Sequence, residues 1–261
     1  GKVSVTPFEG MNAYFGGQPW AQVLGQEPAK RTVVMHFIRE PHAWALSHYL
    51  YHVKGSEVAW TDYQDLSTAE LICRARNDLL AMGKAIGLPD GTLEKLGGEC
   101  IKLMGRASEL AKKNATFYDG LRALPEADAL RLAAIQLLIG GNPLCGKDMV
   151  LAAFNTIQLE RLSQESEAQV ITLPLGRVGD VEQRTWLRER VKEACHALRA
   201  PKMEAELYDA IVGSQEEKFA KWHATKNLIT SEDRERLTAI LRDDLLIGPL
   251  LVHIQKTFEK Y

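Results

Sequence analysis

Arg39 and Ser47 are the two residues of this 261-residue sequence whose types and spacing point most clearly to chemistry on an anion. Arg39 directly follows a short apolar run, and Ser47 comes eight residues later, two turns into a predicted helix. A guanidinium and a hydroxyl can donate hydrogen bonds to one phosphate in the crevice beyond the carboxyl edge of a sheet. The alternative is that Arg39 pairs with a surface carboxylate and that Ser47 faces solvent.

The elements that would position these two side chains are a strand, a short turn and a helix. Val33–Ile38 is rich in β-branched and aromatic residues and is predicted to be an interior strand of a parallel sheet. Pro41 suits the first turn of a helix, so residues 43–53 are predicted to be helical. A second strand is predicted over residues 168–174, which have a similar apolar pattern.

The middle and the end of the sequence are predicted to be helical. Residues 66–165 carry helix caps and apolar stripes but no Gly-rich anion loop, so their helices are expected to pack around the sheet without nucleotide chemistry. Pro125 is expected to open one of these helices. Thr230 is expected to cap a last helix that runs on to Phe258, with a bend at the Gly248-Pro249 pair.

The run over residues 36–51, His-Phe-Ile-Arg-Glu-Pro-His-Ala-Trp-Ala-Leu-Ser-His-Tyr-Leu-Tyr, resembles the 3'-phosphate-binding segment of the sulfotransferases. In that family a core strand ends in Arg-Asp/Glu-Pro, and the following helix carries a Ser eight residues after the Arg. The residues that match in type and spacing are Arg39, Glu40, Pro41, Ser47 and Tyr49. Trp44 departs from the pattern, because many relatives have a second Arg there.

This resemblance implies an α/β fold, a P-loop-type parallel sheet flanked by helices, of which residues 1–261 form a single partial domain. It implies transfer of a sulfuryl group from 3'-phosphoadenosine 5'-phosphosulfate to a hydroxyl or amine of an acceptor such as a carbohydrate. Arg39 and Ser47 would bind the 3'-phosphate of this co-substrate. Lys226, in what resembles the closing loop of the family, would approach a phosphate. No residue is assigned as catalytic base, and no metal is expected.

A second signature of the family does not occur in residues 1–32: the Lys-x-Gly/Ala-x-Thr/Ser loop that holds the 5'-phosphosulfate. We expect that the loop precedes Gly1 or that the protein is a degenerate member without transfer activity. The alternative function is a non-catalytic helical interaction module. The resemblance implies a location in the Golgi lumen if an anchor lies upstream, and a cytoplasmic location otherwise.

Composition excludes several other classes of protein. The 32 Lys and Arg residues against 34 Asp and Glu residues give a net charge of -2, so no basic surface for nucleic acid is expected. The longest apolar runs, residues 132–139 and 245–254, are shorter than the roughly 18–20 residues that span a bilayer. The four cysteines form no CxxC pair, and we favour free core residues over disulfides or metal ligands.

Overall fold

The computed structural model describes residues 33–54, 79–111, 116–139, 149–165, 169–174, 181–209 and 229–260. The chain forms two compact units. The first contains Gly1–Glu40, Asn155–Ala224 and Tyr261, and the second contains Pro41–Phe154 and Thr225–Lys260. The prediction that residues 1–261 form one sulfotransferase-like domain stays a prediction.

The described elements are two strands and a larger set of helices. Strand β1 covers Val33–Ile38, and strand β2 covers Gln169–Pro174. The helices, in chain order, are α1 (Pro41–Lys54), α2 (Leu79–Ala85), α3 (Thr92–Leu110), α4 (Phe117–Ala123), α5 (Glu126–Ile139), α6 (Met149–Glu165), α7 (Val181–Ala197), α8 (Ser231–Asp243) and α9 (Ile247–Lys260). A 3-10 turn, Pro201–Met203, follows α7.

The first unit contains the strand pair and α7. The two strands are parallel, and their register places Val33 opposite Gln169 and Ile38 opposite Pro174. Both segments were predicted as strands from their apolar, β-branched sequences, and both predictions are confirmed. Helix α7 packs against β2. One hydrophobic cluster of this unit consists of the buried residues Ile171, Leu187, Val191, Ala194, Cys195 and Leu207.

The second unit is a helical assembly around α5. Every residue from Leu132 to Ile139 is buried, as expected for a helix that is apolar on all sides. Helices α1, α3, α4, α8 and α9 all contact α5. Burial of each large aliphatic side chain here stabilises the unit by roughly 1.5–3 kcal/mol, so α5 contributes much of its hydrophobic core. The predicted opening of this helix at Pro125 is confirmed, since α5 begins at the next residue.

The predicted fold class, an α/β fold with a P-loop-type parallel sheet flanked by helices, is wrong. Helices predominate in the described parts of the chain, which contain a single pair of six-residue strands. Among the described strands β1 has one neighbour, β2, whereas the prediction had placed it in the interior of a sheet. The helices described between residues 79 and 139 pack on one another around α5, and the prediction had placed them around a sheet. Apolar faces that could cover a sheet instead meet other helices.

The end of the chain departs from the prediction of one bent helix. Helix α8 ends at Asp243 and α9 begins at Ile247. Between them, one carboxylate oxygen of Asp244 accepts hydrogen bonds from the backbone N–H groups of Leu246 and Ile247, each at 2.8 Å. Asp244 therefore satisfies donors that the start of α9 would otherwise leave without a partner. Pro249 lies in the first turn of α9, where a missing N–H costs nothing.

The cysteines divide into two kinds. Cys195 is free and buried, as predicted. The prediction of a free thiol at Cys100 is wrong, because its sulfur is in a disulfide. Spacing did not reveal this bond, since sulfurs distant in sequence meet only in the folded chain.

Each helix described here is too short or too polar to cross a bilayer.

Candidate functional site

The strand–turn–helix segment around Arg39 has the local structure that its sequence predicted. Strand β1 ends at Ile38, Arg39 and Glu40 form the connection, and α1 begins at Pro41. Proline fits this first turn because its ring fixes φ near the helical value and it has no N–H to leave without a partner. The Arg39 side chain is partly exposed and Glu40 is exposed. Arg39 thus follows the carboxyl end of a strand in a parallel pair, the edge where such sheets bind ligands.

Helix α1 presents Ser47 on its less buried side. The buried face of the helix is formed by Ala45, Leu46, Tyr49 and Leu50. Ser47 is partly exposed, as is Tyr51 one turn later, and Ala43 one turn earlier is exposed. Residues four apart share one face of a helix, so these three positions form a stripe away from the core. The apolar face anchors the helix, and Ser47 lies outside that face.

The predicted site residues fall in different parts of the molecule. Arg39 belongs to the first compact unit, and Ser47 belongs to the second. The prediction that both bind one phosphate stays a prediction. Lys226 lies outside the described residues.

Tyr49, the aromatic residue that follows Ser47 in the motif, is a core residue of α1. It is buried, and burial raises the pKa of its phenol above the ordinary value. The Glu126 carboxylate raises this pKa further, whereas the Arg236 guanidinium lowers it. Glu126 and Arg236 form an ion pair with each other at 2.5 Å. The Tyr49 phenol therefore stays protonated at neutral pH and is unsuited to act as a general base.

A polar contact holds the residue next to Ser47. The Nε2 atom of His48 lies 2.5 Å from Oε1 of Gln136 on α5. An amide oxygen only accepts hydrogen bonds, so His48 donates from Nε2. Gln136 is 5% exposed and is a polar residue in an otherwise apolar part of α5. Sequence reasoning missed this residue, although a glutamine in phase with an apolar stripe is a detectable signal.

Ring contacts join the same side of α1 to α4. The His48 and His52 rings are 4.2 Å apart between centroids and nearly perpendicular. The His52 ring in turn lies 4.8 Å from that of Tyr118, a buried residue of α4. Near the end of α1, Arg122 donates from Nε to the carbonyl oxygen of Val53 at 3.1 Å. A cation at this position also interacts favourably with the negative end of the helix dipole.

Neither a cofactor nor a metal can be assigned from the described side chains. In the segments that the structure describes, no group of three or more His, Cys, Asp or Glu residues is arranged to hold a metal ion. In the comparisons with known proteins, no protein-family model, curated protein or solved structure matches this chain. The resemblance to the sulfotransferases, which is most specific over residues 36–51, stays a prediction.

Proposed function

We propose that this protein binds 3'-phosphoadenosine 5'-phosphosulfate and transfers its sulfuryl group to a hydroxyl or amine of an acceptor such as a carbohydrate. Arg39 and Ser47 bind the 3'-phosphate in this proposal. Lys226 is a further candidate for a phosphate contact. The proposal uses the local strand–turn–helix segment and does not require a P-loop-type sheet.

The observation that carries the proposal is the position of Arg39 between the end of β1 and the start of α1. Parallel strands bind ligands beyond their carboxyl ends, and Arg39 is the first residue beyond the end of β1. A guanidinium suits phosphate because its donors match two phosphate oxygens at once. The partly exposed hydroxyl of Ser47, in the second turn of α1, supports the proposal as a second donor.

The proposed reaction exchanges one sulfur–oxygen bond for another bond to sulfur. The acceptor oxygen or nitrogen attacks the sulfur, and the bond from sulfur to the bridging phosphate oxygen breaks. The products are the sulfated acceptor, 3'-phosphoadenosine 5'-phosphate and the proton of the acceptor, for which no residue is assigned as base. Binding the 3'-phosphate contributes by orienting the donor, since alignment of the reacting atoms lowers the barrier.

The Cys100 disulfide favours one of the two locations that the resemblance implies. Disulfides form and persist in oxidising compartments and are rare in the cytosol. A lumenal location, such as the Golgi, therefore belongs to the proposal.

The test is calorimetric titration of 3'-phosphoadenosine 5'-phosphate and of adenosine 5'-phosphate, which lacks the 3'-phosphate. The titrations use wild type, Arg39→Ala and Ser47→Ala. We expect Arg39→Ala to weaken binding of the first nucleotide by about 1.5–3 kcal/mol, because a charged hydrogen bond is lost. Ser47→Ala should cost about 0.5–1.5 kcal/mol, the range for a neutral hydrogen bond. Both penalties should nearly vanish with adenosine 5'-phosphate.

Two control variants separate these effects from changes in charge or helix composition. Arg188→Ala removes an exposed arginine from the first unit, and Ser108→Ala removes an exposed helical serine from the second. Neither should change the preference for the 3'-phosphate. Equal losses for both nucleotides in Arg39→Ala would contradict the proposed role of that residue. Wild-type protein that binds neither nucleotide would refute the function and favour a helical interaction module.

A further inference from the structure

Gln136 is a polar residue at a position where an apolar one would be expected. It lies within the run from Leu132 to Ile139, all of which is buried, and its other members are aliphatic. Burying an amide costs free energy unless its hydrogen bonds are made in the protein. An apolar residue of similar size would fill the same space without that cost. In some proteins a buried polar contact of this kind selects one geometry among several at a cost in stability.

The geometry that Gln136 specifies is the rotation of α1 about its axis. Apart from the phenol group of Tyr49, the remaining buried face of α1 is apolar, and apolar contacts have little directionality. The hydrogen bond between His48 and Gln136 is directional and ties one point of the α1 surface to α5. His48 is the residue after Ser47, about 100° further around the helix. Because both residues belong to one helix, a contact that fixes the direction in which His48 leaves the helix axis also fixes that direction for Ser47.

We propose that Gln136 is a positioning residue for the 3'-phosphate site, acting through His48 on the direction of the Ser47 hydroxyl. This inference rests on the proposed function. Rotation of α1 by about 20° would move each Cα atom, at a radius of about 2.3 Å, by roughly 0.8 Å, and the hydroxyl further. Hydrogen bonds keep their strength over a range of only about 0.5 Å. A small loss of rotational order is therefore enough to remove the Ser47 contact.

The first experiment measures the preference for 3'-phosphoadenosine 5'-phosphate over adenosine 5'-phosphate. Gln136→Met keeps the side-chain size but removes the acceptor, and it should reduce this preference about two- to tenfold, as Ser47→Ala does. Gln136→Glu keeps an acceptor for the His48 N–H and should retain the wild-type preference. In a Ser47→Ala background, Gln136→Met should have no further effect, because two residues that act through one contact are not additive. Additive losses would overturn the proposal.

The second experiment measures amide hydrogen exchange along α1 without any nucleotide. Gln136→Met should speed exchange in α1 about five- to tenfold relative to α3, because α1 loses a directional tie to the core. The control is His253→Leu, which removes the 2.6 Å hydrogen bond from His253 Nε2 to the carbonyl oxygen of Ile86 in the same unit. It should leave both α1 exchange and the nucleotide preference unchanged.

The two measurements distinguish failure of this inference from failure of the proposed function. If wild type shows no preference between the nucleotides, the proposed function is refuted, and with it the link from Gln136 to a phosphate site. If the preference exists but Gln136→Met changes neither it nor α1 exchange, the positioning role alone is refuted. Gln136→Asn, whose amide is one methylene too short to reach His48, gives the same readouts should Gln136→Met not fold.

Discussion

The same chemical change, glycine to alanine, is expected to have opposite effects at two positions of the second unit. Gly87 follows α2 with φ of +77°, a left-handed conformation that costs a residue with a side chain about 1–2 kcal/mol. A Cβ atom there would lie 3.8 Å from the ring of His253, an ordinary contact, so the penalty arises from the backbone alone. The reduced entropy of the unfolded chain offsets about 0.4–1 kcal/mol. Gly87→Ala should therefore destabilise the unit by about 1 kcal/mol.

Gly98 provides the matched comparison. It lies inside α3, it is exposed, and an added Cβ would meet no atom within 4 Å. Gly98→Ala should stabilise the unit by about 0.5–1 kcal/mol, because alanine loses less backbone entropy in a helix. Urea unfolding followed by far-ultraviolet circular dichroism compares both variants with wild type. Shifts of the midpoint in the same direction would refute the assignment of a left-handed turn at Gly87.

Three further predictions concern α4 and the buried free thiol of Cys195. Thr116→Ala should lower the free energy of unfolding by about 1 kcal/mol, because Thr116 Oγ1 accepts a hydrogen bond from the backbone N–H of Asp119, at 3.2 Å, at the start of α4. The hydrogen bond from the Thr116 backbone holds the pKa of the Asp119 carboxyl below its ordinary value of about 3.9. The Asp119 carboxylate therefore stabilises the fold above that pH, and this stabilisation is lost as the pH falls through the lower pKa of the folded state. Urea unfolding in a pH series tests the sign of this effect. Burial raises the pKa of the Cys195 thiol, and the Glu204 carboxylate raises it further. A thiol reagent should therefore label Cys195 only after the protein unfolds, which peptide mass mapping would show. Labelling of the native protein at the rate of an exposed thiol would contradict the burial of Cys195.

The positions of individual strands and helices were predictable, but the way they assemble was not. The apolar run of β1 and the proline after it were enough to place a strand, a turn and a helix. The number of strands in the sheet has no such local signal. It was inferred from two predicted strands among helices and from a resemblance that is most specific over residues 36–51, and neither determines how the remaining helices pack. The central position of α5 likewise follows from tertiary contacts, since a continuous apolar run suits either a buried helix or a buried strand.

The local structure around the candidate site residues was predictable, whereas the contacts of the buried residues beside them were not. Arg39 and Ser47 are recognisable by type and spacing, and they lie on the elements that the sequence predicted. Gln136 is 88 residues from His48 in the chain, and nothing in a single sequence pairs the two. The end of α8 before Asp244 was missed for a related reason. The Gly248-Pro249 pair is a strong local signal for a bend, whereas a capping carboxylate is recognised only by the backbone N–H groups that donate hydrogen bonds to it.

The parallel pairing of β1 with β2 has a consequence for how the protein folds during synthesis. Val33 pairs with Gln169, so the described helices α1–α6 all lie between the two strands in the chain. At roughly 5–20 residues per second, β1 is synthesised on the order of ten seconds before its partner. Individual helices form within about a microsecond, so α1–α6 can form while β1 still has no β2 to pair with. An apolar strand without a partner is a template for aggregation, which makes this interval the period when the nascent chain most needs a chaperone.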